Sequence, residues 1–247
     1  MTQAVLGVLC ALRSEARCLG RTFAADASLE RLADGTLVAV TGMGAARATA
    51  GAEALRAAGA QALLSFGMAG GLDPALRAGD VVLPAEVVTP QGAAYATSAQ
   101  WRAQLYEAAR HGGGVSCGRL VTSTAPVLDR AAKRALFRAS GAVAVDMESA
   151  AVARVATEVA LPFMALRAVI DPAAASVPQA VLASGSAAGQ TSALRLLVAL
   201  GRRPQELGAF LPLLNGYRMA RRALRRLASS GALQPPLPRA THVLRTA

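Results

Sequence analysis

Three carboxylates of this 247-residue chain each follow a short apolar run, where a strand could end and a polar site begin. They are Glu15, Glu148 and Asp171. Carboxyl groups held in different environments can serve as a general acid, a general base and an anionic binding group. Glycine-rich turns, Gly42-Met43-Gly44 and "GMAGG" at 67–71, follow two other apolar runs. Together these groups favour a polar active site at one edge of a sheet.

Each of these residues also has a purely structural interpretation. Glu148 could be an acid at a helix N-terminus, where the helix dipole favours negative charge. Asp171 before Pro172 could form a turn, and Glu15 could lie on a solvated helix surface. The glycines could form tight turns, and "GMAGG" lacks the G-x-G-x-x-G spacing of dinucleotide sites. It is the joint placement of these groups that favours a site.

The rest of the pattern predicts strands alternating with Ala-rich helices. The predicted strands are 4–11, 36–41, 61–66, 80–83, 117–122, 142–147 and 162–170, and the helices include 45–58 and 148–160. Most of these strands are apolar on both faces, which is typical of an α/β sheet covered by helices on each side. Ligands of such folds bind beyond the carboxyl ends of the strands. Glu148 and Asp171 are therefore expected to end neighbouring or near-neighbouring parallel strands.

The composition is that of a globular protein, with 53% hydrophobic residues and 4% aromatic residues. Three cysteines without C-x-x-C spacing predict free thiols in a reducing compartment. We recognise neither a secretory signal nor an apolar run that could cross a bilayer, so a cytoplasmic location is expected. His111 and His242 lack partners at metal-ligand spacing, so neither a metal nor a cofactor is predicted.

The C-terminal part of the chain is helical and rich in arginine. The formal charge is +11, and Lys133 is the only lysine among 26 basic residues. Such a balance attracts anionic partners, but it can equally reflect a GC-rich genome. The helix expected over 211–228 has an apolar stripe with most arginines off it. Either the stripe packs on the core, or the helix lies on an anionic membrane as a peripheral contact.

Four motifs resemble the superfamily of purine nucleoside phosphorylases and methylthioadenosine/S-adenosylhomocysteine nucleosidases. They are "TGMGAARATAGAEAL", "SFGMAGGLDPALRAGDVVLP", "VDMESAA" and "RAVIDPA". The resemblance spans roughly residues 4–200. It is greatest to the hopanoid-associated phosphorylases, which are similar to enzymes that release adenine from adenosylhopane. It implies a three-layer αβα sandwich with a mixed, largely parallel sheet over 1–203, a basic helical extension over 204–247, and a homo-oligomer.

The resemblance also implies a role for each carboxylate. Glu148 accepts hydrogen bonds from the ribose 2′- and 3′-hydroxyls and stabilises an oxocarbenium-like sugar, against which Met147 packs. Asp171 protonates N7 of adenine, which requires burial to raise the pKa of its carboxyl group. Glu15 removes a proton from the attacking water.

Four more positions follow from the same resemblance. Gly67 and Met68 belong to the substrate pocket, and the backbone of Val127 reads the edge of adenine. Asp146 is expected to be structural, paired with Arg167.

The chain departs from the family pattern at three positions. Met68 replaces a serine, Pro126 replaces the aromatic residue that stacks on adenine, and Ile170 replaces a small polar residue. Each exchange makes the pocket more apolar, as a hydrocarbon-bearing substrate or a degenerate site would.

The nucleophile is water or phosphate. "LLSFGMAGG" lacks the arginine with which phosphorylases bind phosphate, and the nearest arginines in sequence are Arg13, Arg17 and Arg47. Glu15 would also repel a dianion. The sequence therefore favours hydrolysis, with phosphorolysis as the alternative.

Two other classes of function compete with an enzyme. A non-catalytic nucleoside- or lipid-binding protein would retain the fold and tolerate the three departures. A nucleic-acid-binding protein is suggested only by the charge, and no aromatic residues are interleaved with the basic run. No nucleic-acid partner is therefore predicted.

Overall fold

The structure is a computed structural model, which describes residues 4–23, 28–177 and 207–236. Its eleven strands form one branched, mixed sheet. The strands are β1 Leu6–Cys10, β2 Ser28–Arg31, β3 Leu37–Val40, β4 Ala62–Gly71, β5 Val81–Val82, β6 Glu86–Val88, β7 Ala94–Ala96, β8 Val115–Ser116, β9 Leu120–Thr122, β10 Ala144–Asp146 and β11 Phe163–Asp171. The helices are α1 Arg13–Ala16, a 3₁₀ helix Arg17–Leu19, α2 Ala45–Ala57, α3 Ala99–Ala109, α4 Arg130–Ser140, α5 Ser149–Glu158 and α6 Leu207–Ser229.

The sheet is covered on both faces, because its central strands are apolar on both sides. Val8 and Cys10 of β1 pack with one cluster, to which α3 and α6 contribute residues such as Trp101 and Leu224. The alternate residue Leu9 packs with a second cluster that includes residues of α2 and α5. This is the alternation expected of a strand between two helical layers. The predicted three-layer α/β fold is confirmed.

Strand β4 is the central strand of the sheet and pairs with three other strands. Its first half pairs in parallel with β1 on one side, and nearly its whole length pairs in parallel with β11 on the other. Its last residues, Gly70 and Gly71, pair with β10. The sequence prediction ended this strand at residue 66, yet "GMAGG" continues it to Gly71. The glycines lie in the strand because other groups approach its backbone closely, as described below for Gly67.

The expectation that Glu148 and Asp171 end parallel strands is wrong. Strand β11 is parallel to β4, but β10 is antiparallel to it, with Ala144 opposite Gly71 and Val145 opposite Gly70. The reason is that β10 pairs with the far end of β4 and runs back along it. The residues that follow β10 are thereby returned towards the middle of β4. Glu148 reaches the site by this reversal.

The C-terminal helix α6 belongs to the main core. Ala220, Leu224 and Leu227 of its predicted apolar stripe are buried in the same cluster as strands β1 and β3. The interpretation of α6 as a helix whose stripe packs on the core is therefore confirmed. Within the described ranges, every helix is too short or too polar to cross a membrane. The predicted boundary between 1–203 and 204–247 lies outside the described residues.

The contact between α6 and β11 depends on Gly216. A methyl group at Gly216 would lie far inside van der Waals distance of the backbone carbonyl oxygen of Ile170. Ile170 directly precedes Asp171, so this helix–strand contact also fixes the end of the strand that bears a predicted catalytic residue.

We expect Gly216→Ala to lower the free energy of unfolding by about 1–3 kcal/mol, because the added methyl group forces α6 away from β11. The matched control is Gly208→Ala in the same helix, where a methyl group meets no atom within 4 Å. Alanine is the better helix former, so the control should be neutral or stabilising by up to about 1 kcal/mol. Urea unfolding of both variants measures the difference. Equal stability of the two variants would contradict the close-contact argument.

Candidate active site

The centre of the candidate site is the guanidinium group of Arg167, which is 2% exposed. Its Nε donates to Asp146 Oδ2 at 2.9 Å, and its Nη2 lies 2.6 Å from the same oxygen. Nη2 also donates to the hydroxyls of Ser65 and Ser149, at 2.6 and 2.9 Å. Asp146 in turn accepts the Thr122 hydroxyl at 2.7 Å. The predicted pairing of Asp146 with Arg167 is confirmed.

Glu15 lies on the other side of the guanidinium group. Its Oε2 accepts the Leu12 amide at 2.9 Å and so caps α1, while its Oε1 accepts the Met68 amide at 2.8 Å. A methyl group at Gly67 would come within 2.6 Å of Arg167 Nη1 and 2.7 Å of the Glu15 carboxyl carbon. Glycine is therefore required at position 67 for both side chains to lie against β4. Glu15 is buried, so its interpretation as a solvated surface residue is wrong.

Glu148 occupies the end of β10 and the N-terminus of α5. Its Oε1 accepts the Gly44 amide at 2.8 Å, and its Oε2 accepts the Met147 amide at 3.3 Å. The "TGMG" turn after β3 thus supplies a backbone donor to a carboxylate 104 residues further along the chain. This contact joins one of the two predicted glycine-rich turns to the site.

The cluster holds one buried cation against three buried carboxylates. Burial raises the pKa of Glu15, and Arg167 acts in the opposite direction. Burial, together with repulsion from Asp146, raises the pKa of Glu148 to about 7 although Arg167 and the Gly44 amide lower it. Burial alone would lower the pKa of Arg167, but Asp146, Glu15 and Glu148 outweigh it and raise this pKa. A pKa of about 7 places Glu148 in the range in which a carboxyl group can exchange a proton near neutral pH.

Asp171 lies further along the same strand, opposite Gly70. Gly70 is three positions beyond Gly67 on β4, which corresponds to about 10 Å along a strand. Asp171 forms a buried ion pair with Lys133 of α4, through its Oδ2. Burial raises the pKa of Asp171, and Lys133 partly offsets this effect. The structure thus unites Glu15 and Glu148 in one cluster and places Asp171 beside it at the end of β11, with its own cation.

Lys133 is the functional candidate that sequence reasoning missed. Its ammonium group is fully buried, and it also donates to the carbonyl oxygens of Asp171, Pro172 and Ala175 at 3.3, 2.9 and 3.1 Å. The available signal was that a chain with 26 basic residues uses lysine only here. A flexible ammonium group can reach several converging oxygens, which the planar fork of an arginine fits less well.

The remaining predicted residues lie around these carboxylates. Met147 and Met68 are half-buried, and their amides contact Glu148 and Glu15 respectively.

Val127 packs on the small cluster that contains Val145. Val145 lies next to Gly70, so Val127 is on the Asp171 side of the site. In the part of the chain that the structure describes, we find no group of side chains with the composition of a metal site.

The arginines suggested for phosphate binding take three different positions. Arg13 donates to the carbonyl oxygen of Phe23, and Arg17 lines a cleft beside α6. Arg47 lies over the "TGMG" turn, where a methyl group at Gly42 would come within 2.9 Å of its Nη1. Of the three, Arg47 is thus the one beside the turn that contacts Glu148.

Comparison with known families identifies the class of protein. A family model described as the phosphorylase superfamily matches residues 29–200, which is more than half of the chain. The chain belongs to the phosphorylase superfamily. This agrees with the resemblance found in its motifs. No curated protein sequence matches the chain.

Solved structures share this superfamily member's fold at low sequence identity. A Helicobacter pylori methylthioadenosine nucleosidase mutant with 5′-methylthioadenosine bound matches with a TM-score of 0.65 and 19% identity, over 93% of this chain and 100% of its own. Helicobacter pylori futalosine hydrolase matches with 0.65 and 19%, over 92% and 98%. Streptococcus pyogenes S-adenosylhomocysteine nucleosidase, in complex with 5-methylthiotubericidin, matches with 0.66 and 18%, over 93% and 98%. The shared fold is the mixed, largely parallel α/β sheet described above.

The raised pKa of Glu148 predicts how stability depends on pH. Its folded value of about 7 exceeds the ordinary value of 4.5, so the folded state binds more protons than the unfolded state between those values. Stability should therefore fall as pH rises from about 4.5 to 7 and then level off. Glu148→Gln should remove part of that fall, roughly 1–3 kcal/mol.

Urea unfolding across this pH range measures the effect. The matched control is Glu53→Gln, which changes an exposed carboxylate on α2 and should leave the pH profile of stability unaltered. An identical slope in the wild type and Glu148→Gln would show that Glu148 does not titrate in this window.

Proposed function

We propose that this protein cleaves the N-glycosidic bond of an adenine nucleoside by hydrolysis. The observation on which this rests is the placement of three buried carboxylates beside strands β4 and β11. Glu15 lies against Gly67, Glu148 interacts electrostatically with Glu15 and Arg167, and Asp171 lies opposite Gly70. Cleavage of this bond needs a base, an anionic site for the sugar and an acid for the purine. The family and the three structural relatives, which are nucleosidases and a hydrolase by name, support the same reaction class.

The sugar would bind at Glu148. Two ribose hydroxyls can donate to its carboxylate, and hydrogen bonds to the charged form lower a raised pKa. Bound substrate would thus stabilise the ionised state of Glu148. The negative charge would then stabilise the positive charge that develops on the sugar in the transition state.

The proton transfers balance between Glu15 and Asp171. As the bond from C1′ to the purine nitrogen breaks, its electron pair passes to the base, and Asp171 gives its proton to N7. A water molecule forms the new bond to C1′ and gives a proton to Glu15. The products are neutral adenine and a reducing sugar. The allocation of these roles follows the motif resemblance. Burial raises the pKa of both carboxyl groups, which makes Glu15 a stronger base once ionised and helps to keep Asp171 protonated as an acid.

Phosphorolysis is the second candidate, and Arg47 is the observation that favours it. Its guanidinium group over Gly42 could contact a phosphate near the sugar site. Arg13 donates to the Phe23 carbonyl oxygen, Arg17 lines a separate cleft, and the buried carboxyl group of Glu15 would repel a dianion. Water therefore fits the site better than phosphate.

The substrate class is proposed to be an adenine nucleoside with an apolar 5′ substituent, such as a lipid-linked nucleoside of the adenosylhopane type. Support comes from the motif resemblance and from half-buried Met68 and Ile170, which replace polar residues of the family pattern. These side chains offer an apolar wall near the site. Loss of turnover with retained ligand binding is the competing explanation of the same departures.

An assay of adenine release tests the reaction. Purified protein is incubated with 5′-methylthioadenosine and with a 5′-alkyl adenosine, in the presence and absence of phosphate. We expect adenine release that needs no phosphate, with the free 5-substituted ribose (5-methylthioribose from 5′-methylthioadenosine) rather than its 1-phosphate as the sugar product. Asp171→Asn should lower kcat at least about 100-fold. The control Asp34→Asn, an exposed residue whose amide oxygen can still accept the Thr36 amide, should be fully active.

Three results would count against parts of this proposal. Release that depends on phosphate would replace hydrolysis by phosphorolysis. Tight nucleoside binding without release under either condition would favour a binding protein. Full activity of Asp171→Asn would remove Asp171 as the acid.

The ion pair with Lys133 makes a separate prediction about pH. Lys133→Met removes the cation that lowers the pKa of Asp171, so this pKa should rise further. The alkaline limb of the kcat/KM profile should then move to higher pH, and kcat should fall because the acid is weaker. Lys133→Arg retains the charge and should shift the limb less. An unmoved limb in a folded Lys133→Met protein would mean that Lys133 only holds the turn after β11.

A further inference from the structure

An arginine-lined cleft lies away from the candidate active site. A cleft of about 540 Å³ separates the segment that begins with the 3₁₀ helix from the C-terminal turns of α6. Four arginines line it: Arg17, Arg21, Arg225 and Arg226. None of its lining residues belongs to the clusters around Arg167 or Asp171. We propose that this cleft binds a phosphate-bearing ligand through these four guanidinium groups.

The described walls of the cleft carry positive charge only. All four arginines are exposed, and among the described residues that line the cleft none is acidic. Exposed arginines elsewhere in the chain do find acids, as Arg110 with Glu107 and Arg119 with Glu86. A concave surface lined by one sign of charge concentrates the opposite charge. The cleft is therefore a place where several exposed guanidinium groups converge on one concave surface.

Positive charge at the cleft also acts on a neighbouring thiol. Cys18 lines the cleft with a largely buried thiol. Burial raises the pKa of this thiol, while Arg221 and, after it, the cleft residue Arg225 act in the opposite direction. Arg225 would stabilise a ligand anion in the cleft in the same way.

The packing of α6 on the core fixes the positions of Arg225 and Arg226. Leu224 and Leu227 flank Arg225 and Arg226 in the sequence and are fully buried in the core. Arg226 Nη1 donates to the Gly112 carbonyl oxygen at 2.8 Å, which fixes its guanidinium group at the rim. Groups held in place before binding lose less conformational entropy when a ligand arrives.

The donors define the chemistry of the ligand. Guanidinium forks match the paired oxygens of a phosphate, and the hydroxyl of Thr22 adds a further donor. Four positive charges suit a ligand with two or more negative charges. The volume lies within the usual range for small-molecule sites, about 300–1,000 Å³. Either a soluble phosphorylated compound or a phospholipid headgroup has this chemistry.

Isothermal titration with inorganic pyrophosphate at low ionic strength tests the site. We expect saturable binding by the wild type and at least tenfold weaker binding by Arg17→Gln/Arg21→Gln and by Arg225→Gln/Arg226→Gln. The matched control is Arg56→Gln/Arg138→Gln, which removes two exposed charges from other surfaces and should bind as the wild type does. Urea unfolding confirms that every variant is folded. This outcome does not depend on nucleosidase activity.

Cosedimentation with vesicles distinguishes the two sources of phosphate. Vesicles of phosphatidylcholine alone are compared with vesicles containing phosphatidylglycerol. Sedimentation that needs phosphatidylglycerol and is lost in both cleft variants assigns the site to a headgroup at a membrane surface. Pyrophosphate binding without sedimentation assigns it to a soluble compound. No saturable binding to either probe, or equal weakening in the control variant, would overturn the proposal.

Discussion

The architecture around the site depends on one buried guanidinium group. Arg167 lies in the middle of a strand that is buried on both faces, and it holds Asp146 directly while Glu15 and Glu148 lie within its electrostatic reach. A charge in such a position is unfavourable unless it is paired and fully hydrogen-bonded. Two serine hydroxyls and one carboxylate meet that requirement here. Removal of one partner from such a cluster typically destabilises a protein by about 3–5 kcal/mol.

The same requirement explains why four distant segments meet at β4. Arg167 comes from β11, Glu15 from α1, Asp146 and Glu148 from β10 and its end, and the Gly44 amide from the turn after β3. Each segment brings either a charge or a donor that the others need, so the network and the fold specify one another. Burial raises the pKa values of Glu15 and Glu148, repulsion from Asp146 adds to the rise at Glu148, and the single cation Arg167 offsets these effects only in part. Groups that titrate near neutrality are the ones that can exchange protons during a reaction.

The sequence predicted the positions of strands and helices better than the relative directions of the strands. Apolar runs identified β1, β3, β10 and β11, and the span of α2 is correct to within one residue. The pattern could not show that β10 runs antiparallel, because a three-residue strand has the same composition in either direction. Strands of two or three residues, such as β6, β7 and β8, are too short to give a periodic signal. The sequence predicts a turn for "GMAGG". Its neighbours in the chain do not show that Gly67 lacks a side chain to make room for Glu15 and Arg167, which come from distant segments.

The only lysine of this chain, Lys133, is fully buried. Its ammonium group is sealed between α4 and the segment after β11, so reagents that acylate lysine side chains find no such target on the folded molecule. Labelling of Lys133 would therefore report the moment at which α4 separates from the end of β11. The rate of that labelling measures local opening beside Asp171 directly, without substrate and without a spectroscopic probe.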